Sequence, residues 1–278
     1  MIRASSAGKI CTTKPKFDNK NYLKDLSDLR VTAKKKGLEI EETTKGLLSL
    51  CETPGMKTKA LLVKKHLDNK ALVDLDPLPP GAKGYMKEAW LAEQGFINTS
   101  SGIGNNATKK GNLVEDGAIS LLSRIDGICY TNEKDRVKEG FIGGTADIID
   151  RANSKVIDIK CPESWVTFKS KKEIPSDYYW QLIAYCFLYK VTKAELVYVL
   201  MPDPMEIQEY YAKNLSGENF QKYINMNKKI GKLEPLQRVK RYSIDIKEIP
   251  KSIEFLEKRI EKCRKYYNTL TLKICLNL

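Results

Sequence analysis

The stretch GGTADIIDRANSKVIDIKCP, Gly143 to Pro162, constrains this chain more than any other. Two apolar runs, TADII and KVIDIKC, flank a polar DRANS, and each holds an acid in its middle, Asp147 and Asp158. Short apolar runs around a polar tetrapeptide predict a hairpin turning at Arg151 to Ser154. Closure at Asp150 and Lys155 puts Asp147 directly opposite Asp158, with Cβ atoms about 4.5–5.5 Å apart on one face. Alternation adds Lys160 to that face and turns Ile157 and Ile159 to the other. Facing carboxylates on a half-buried sheet repel each other and lose hydration. A divalent cation between them would resolve the conflict. So would a shared proton, a bridging lysine, a slipped register or an exposed hairpin.

Composition narrows the chemistry. The 278 residues, 42% of them hydrophobic, allow one large domain or two small ones. A balance of 48 basic against 35 acidic residues leaves +13, which argues for a polyanionic partner, nucleic acid or an anionic membrane surface. No run of eighteen apolar residues occurs, so no membrane span is expected. MIRASSAGKICTTKP lacks an apolar signal core, and the expected location is the cytoplasm. Seven scattered cysteines without a CxxC pair argue against a disulfide framework and a zinc ribbon. The single histidine, His66, sits in the basic run VKKHLDNK and reads as a solvated surface residue. Histidine-based triads and metal sites are thereby disfavoured, leaving carboxylates, lysine and an oxygen-bound metal. No GxxxxGK[ST] loop is present, which argues against an NTP-driven motor.

Along the chain, a short helix is expected at Ser5 to Cys11, and helical periodicity runs through Tyr22 to Lys36 and Lys45 to about Val73. DPLPPGAKG, Asp76 to Gly84, breaks structure before a short helix at Tyr85 to Gln94. The Gly- and Asn-rich segment Asn98 to Asn112 reads as a surface loop. Helix Leu113 to Arg124 has an apolar arc of Leu113, Val114, Gly117, Ala118, Leu121 and Leu122, with Glu115 at its edge and Asp116 on the polar side. On the nearly all-apolar helix Tyr178 to Tyr189, Gln181 and Tyr185 lie one turn apart. A buried glutamine there needs hydrogen-bond partners, from DNA, from water or from the core itself. AELVYVLM reads as a strand ending at PDP, and Ile253, Leu256, Ile260, Cys263 and Tyr267 step as one helical stripe that should dock on its own domain. The order of elements suggests α/β architecture.

Asp147, ten residues, then Asp158-Ile159-Lys160 resembles the active-site signature of the PD-(D/E)xK nuclease superfamily. The wider sequence resembles its lambda exonuclease and YqaJ viral recombinase branch, in five blocks in the expected order. These are IRAS at Ile2 to Ser5, GNLVEDGAISLL with Glu115 at the family's helical acid, GGTADIID, VIDIKCPESWVTF, and DYYWQLIAYCFLY with Gln181 and Tyr185 as Gln-xxx-Tyr. Ala146 stands where the family has the proline that names the motif, and Asp158 where glutamate is common. The region from about Asn19 to Lys83 shows no close match.

This resemblance implies a restriction-endonuclease-like α/β core, a central mixed β-sheet flanked by α-helices. It implies a single nuclease domain over 1–278, with a helical N-terminal insertion at about 19–83 and a C-terminal helix at about 247–270. Asp147 and Asp158 would hold Mg²⁺, for which Mn²⁺ can substitute, helped by the backbone carbonyl of Ile159 and, directly or through water, by Glu115. Lys160 would orient the attacking water or stabilise charge on phosphorus. Gln181 and Tyr185 would face DNA. Ser5 and Thr145 align with hydroxyls of a 5′-phosphate pocket; Arg3 is a neighbour suited to that anion, although not at the position of the family's phosphate arginine. The implied activity is a Mg²⁺-dependent exonuclease working 5′-to-3′ on linear double-stranded DNA ends. It would make single-stranded tails for an annealing protein in phage-type recombination, and enzymes of this kind assemble as homotrimers. The rivals are an endonuclease of the same superfamily, restriction or junction-cleaving, and a catalytically silent DNA-binding module. Iron–sulphur nucleases of CRISPR adaptation share Gln-xxx-Tyr but need a cysteine cluster that these spacings do not provide.

Overall fold

The computed structural model describes residues 1–11, 78–97 and 106–275. The helices expected between Tyr22 and Val73, His66, most of the expected insertion and residues 98–105 lie outside the described residues. Met1–Thr12 and Pro80–Leu278 form one compact unit.

The single central sheet expected from the sequence is two mixed sheets. One orders β1 (Ile2–Arg3), β3 (Ile142–Gly144) and β2 (Val137–Glu139), with β1 parallel and β2 antiparallel to β3. The other orders β4 (Ile148–Asp150), β5 (Lys155–Lys160), β6 (Lys193–Val199) and β7 (Val239–Ser243), with only β5 and β6 parallel. The break falls at Thr145–Asp147, where backbone groups find partners outside the ladders. The Ala146 N–H donates to the Tyr189 hydroxyl at 3.2 Å, and the Asp147 carbonyl accepts from the Glu133 N–H at 2.9 Å. Asp147 therefore lies where the chain crosses from one sheet to the other.

The hairpin forms in the expected register, with Asp150↔Lys155 closing it and Ile148↔Ile157 as the last ladder pair. Asp150 shapes the turn: its carboxylate accepts from the backbone N–H of Asn153 at 3.1 Å and from its side-chain amide at 2.8 Å. Ser154 completes the turn with φ 50, a left-handed conformation that non-glycine residues seldom adopt.

Eight α-helices are described: α1 (Ala7–Cys11), α2 (Pro80–Glu93), α3 (Asn106–Asp126), α4 (Trp165–Ser170), α5 (Ser176–Tyr189), α6 (Met205–Asn214), α7 (Gly217–Gly231) and α8 (Ile249–Cys275). Two begin five or more residues earlier than the sequence suggested. α2 starts at Pro80, inside the expected connector, because proline tolerates the first helical position, where its missing N–H is not required. α3 starts at Asn106, so residues 106–112 are helical and not loop. α4 is capped by Ser164, whose hydroxyl accepts from the Thr167 N–H at 3.2 Å.

The core against α3 joins Ala118, Ile119 and Leu122 to Ile157, Ile159 and Val197. Ile157 and Ile159 thus face α3, as alternation required. The helix's arc differs at one end: Leu113 is exposed, while Ile119 is buried. On the opposite face α5 packs against β5 and β6. α8 buries Leu256, Ile260 and Cys263 and docks on α1, α2 and α5, as its stripe suggested. α1 can lie close on α5 because Gly8 has no side chain: a Cβ there would stand 2.9 Å from the Cα of Asp177.

Candidate active site

The elements converge at the carboxyl end of β5, where a cleft of about 480 Å³ opens. Glu115 enters it from α3, Asp147 from the sheet crossing, Ile159 and Lys160 from β5, and Tyr178 from α5. Lys110 fixes the start of α3. This lysine is 1% exposed, pairs with Asp203 at 2.7 Å and donates to the Glu163 carbonyl at 3.1 Å. It ties the helix that carries Glu115 to the segments following β5 and β6.

Asp158 is fully buried beneath the cleft. Its Oδ1 accepts from Gln181 Nε2 at 3.1 Å, and its Oδ2 pairs with Lys160 Nζ at 2.5 Å. The same Gln181 amide nitrogen donates to the Tyr185 hydroxyl at 3.0 Å. The glutamine's partners are therefore an acid and a phenol of the protein. Asp147 uses Oδ2 to accept from the Ile159 N–H at 2.6 Å, just beyond the end of the β4–β5 ladder. The two acids are neighbours, as the register implied, one buried with a hydrogen bond at Oδ1 and an ion pair at Oδ2, the other facing the cleft.

Charge at this end is unbalanced. Burial first, and then the negative charge of Asp158, push the carboxyl of Asp147 up to about 7; Lys160 and the Ile159 N–H pull the other way. Burial alone would lower Lys160, but the carboxylates of Asp158 and Asp147 outweigh it and hold the ammonium protonated above its ordinary range. The lysine also lies 5.1 Å over the Tyr178 ring. Burial raises the Cys161 thiol to about 12, so this cleft residue is not a thiolate nucleophile.

Among the described residues, no three His, Cys, Asp or Glu side chains form a metal cage. The donor set that does exist, Asp147 and Glu115 lining open space above the buried Asp158, fits an ion that keeps most of its water. Mg²⁺ is such an ion, commonly held by one or two carboxylates. A dication would also offset the burial and the repulsion that make Asp147 reluctant to ionise.

Asn132 escaped the sequence reading. Its side-chain amide donates to Glu115 at 2.8 Å and to Asp116 at 2.9 Å, fixing the helical acid from the irregular stretch before β2. Nothing periodic marks such a residue. The phosphate residues expected from the resemblance gather elsewhere, round a cavity of about 160 Å³ lined by Arg3, Ser5, Thr145 and Tyr185. Arg136, also unanticipated, lines it too. Tyr185 joins the two places, with its ring at the cavity and its hydroxyl on Gln181. Gly144 lets β3 approach the N-terminal turn, since a Cβ there would lie 2.6 Å from that of Ala4.

No protein-family model matches the chain, and no curated protein matches it. Solved structures do. A phage related exonuclease from Haemophilus somnus 129PT aligns with 71% of this chain and 85% of its own at 23% identity, with a TM-score of 0.56. An alkaline exonuclease (LHK-Exo) from Laribacter hongkongensis aligns with 72% of this chain and 88% of its own at 16% identity, with a TM-score of 0.46. The first of these carries the comparison. At the level of fold it upholds the resemblance read from the sequence: this chain shares its fold with a phage related exonuclease.

Proposed function

We propose that this chain is a Mg²⁺-dependent deoxyribonuclease of the lambda exonuclease and YqaJ-like kind, degrading linear double-stranded DNA from its 5′ ends. The observation that carries the reading is the cleft that Asp147, Glu115 and Lys160 line over the buried Asp158, three acids about one paired lysine. The name of the H. somnus protein, a phage related exonuclease, supports the same class. On this reading the chain is one nuclease domain with an insertion at about 19–83. Its single-stranded product would serve an annealing partner in phage-type recombination, and the protein would act as a trimer in the cytoplasm.

Asp147 and Asp158 would hold the ion, with the Ile159 carbonyl and Glu115 as further oxygen donors. When bound, Mg²⁺ supplies Lewis-acid polarisation of the scissile phosphate and acidifies water. The chain's own groups do the rest. Gln181 and Lys160 lock Asp158 in one rotamer, so its oxygens need no reorganisation when substrate arrives. Lys160, protonated throughout the neutral range, donates to a phosphate oxygen or orients the attacking water. Glu115, held by Asn132, accepts a hydrogen bond from that water and takes its proton as the new phosphorus–oxygen bond forms and the bond from phosphorus to the departing 3′ oxygen breaks, that oxygen taking a proton from solvent. Arg3, Arg136, Ser5 and Thr145 offer cationic and hydroxyl donors to a terminal 5′ phosphate.

The test offers linear and covalently closed circular duplex to the protein, with Mg²⁺ or with EDTA. Digestion of linear DNA alone, stimulated by a 5′ phosphate and abolished by EDTA, is expected. Cutting of closed circles would move the assignment to an endonuclease; binding without loss of DNA in Mg²⁺ or Mn²⁺ would make it a silent binding module.

A further inference from the structure

The wall of the cleft opposite the acids is cationic and phenolic. Lys160, Tyr198 and Lys240 are register partners across β5, β6 and β7, so they form one row on the face away from α3. Above the row runs the segment leaving α4. Lys240 Nζ donates to the carbonyls of Lys169 at 3.0 Å and Lys171 at 2.9 Å, and the Tyr242 hydroxyl donates to the Lys171 carbonyl at 2.8 Å. Three hydrogen bonds from β7 thus strap this segment over the sheet and set Lys171 into the cleft, its ammonium 5.7 Å over the Tyr198 ring.

Two features of this wall lack a counterpart. Lys169 and Lys172 lie close enough to Lys240 to act on it, and neither they nor Lys171 and Lys240 are ion-paired with a carboxylate among the described residues, although Lys240 is bonded to two carbonyls and Lys169 lies over the Trp165 ring. Burial and then the ammonium groups of Lys169 and Lys172 hold Lys240 below its ordinary value, a mark of like charges held close. Tyr198 is 1% exposed, and its hydroxyl has no hydrogen-bond partner among the described residues. An unpaired buried hydroxyl typically costs about 1–3 kcal/mol. A ligand that supplied anionic oxygens would satisfy both.

We infer that Lys171 and Tyr198, with Lys169 and Lys172 at the rim, form a phosphodiester subsite beside Lys160 that grips the backbone of the strand being cut. This rests on the nuclease reading and extends it to the wall beyond Lys160. A backbone phosphate draws the Lys171 ammonium off the phenol ring and uncovers the Tyr198 hydroxyl, which donates to a nonbridging oxygen. The site recognises charge and geometry, not base identity, so its contribution depends on salt and not on sequence.

The experiment measures binding of a fluorescein-labelled linear duplex by anisotropy across a salt series, in an Asp147→Ala background that does not cut. Lys171→Gln is expected to weaken binding about tenfold and to lower the slope of log affinity against log salt by about 1. Tyr198→Phe is expected to weaken it about fivefold with the slope unchanged, since a neutral donor releases no counterion. Lys222→Gln, an exposed lysine already paired with Glu218, serves as the control that should alter neither. In cutting-competent protein, both cleft variants should raise KM more than they lower kcat. Lys171→Gln and Tyr198→Phe binding like the parent, with melting temperatures unchanged, would overturn the subsite whether or not the protein cuts DNA. The predicted losses in a protein that never cuts would uphold the subsite and refute the nuclease reading instead.

Discussion

The four-stranded sheet has a cluster of acids at each end, and helix α3 reaches both. At the amino end of β5 and β6, Arg241 forks onto Asp126 at 2.7 and 2.9 Å and onto Glu195 at 3.2 Å, while Lys155 approaches Glu195 at 3.6 Å. Two acids meet two bases there. At the carboxyl end, Glu115, Asp147 and Asp158 share Lys160. Two unit charges about 5 Å apart repel by about 3 kcal/mol at an effective dielectric of about 20. Fold stability favours the first arrangement and gains nothing from the second. Acids that share a single paired lysine, facing a wall of lysines that pair with no carboxylate among the described residues, are the physical mark of a site built for a ligand to arrive, in the same sheet that elsewhere pairs its charges.

The contrast breaks most sharply under substitution. Asp147→Ala or Lys160→Ala should lower digestion of linear DNA by at least about 10³-fold, a loss typical of removing one charged catalytic group. Circular dichroism should show the fold retained, and near-wild-type rates in either variant would refute the assigned roles. At the balanced end the signs reverse. Arg241→Ala leaves two acids without their shared cation, and stability should fall by about 2–3 kcal/mol. That is below the 3–5 kcal/mol typical of a broken buried pair because this arginine is 28% exposed. Digestion should stay within about threefold of wild type. An Arg241→Ala protein that unfolds at the wild-type urea midpoint but loses activity would show that the two ends are not independent.

How much of this was legible beforehand depends on the reach of each contact. The hairpin register and the turning away of Ile157 and Ile159 follow from period-two alternation and are present, while the two acids are neighbours with Asp147 just beyond the last ladder pair. Gln181 and Tyr185 one turn apart follow equally from helical period. The sheet break at Thr145–Asp147 did not, because it depends on Tyr189 and Glu133 taking up backbone groups from distant positions. Asn132 on Glu115 and the pairing of Lys110 with Asp203 are single contacts between irregular or remote segments, with no pattern to announce them. Tyr198 stands between these cases. Its strand was recognisable, but its place beside Lys160 requires the parallel register of β5 and β6, which no hairpin fixes.

The smallest effect expected is also the one that separates the two ends most cleanly. The folded protein keeps a proton on Asp147 up to about pH 7, whereas the unfolded chain releases it near the ordinary value of 3.8. Between those values the native state binds more protons than the unfolded one, so this group's contribution to stability falls as pH rises and is fully lost above the folded value. Asp147→Asn removes the ionisation while keeping an oxygen that can accept from the Ile159 N–H. In EDTA, the variant should therefore match wild type at pH 4 and melt at a higher temperature than wild type at pH 8. Asp126→Asn, which unbalances a paired cluster, should lower the melting temperature at both pH values. Millimolar Mg²⁺ at pH 8 should then raise wild type towards or above Asp147→Asn and leave that variant nearly unmoved, since a cation stabilises only the state that holds it. An Asp147→Asn protein that gains nothing between pH 4 and pH 8 would mean that the acid's negative charge is already compensated within the fold, and the distinction between the two ends would disappear.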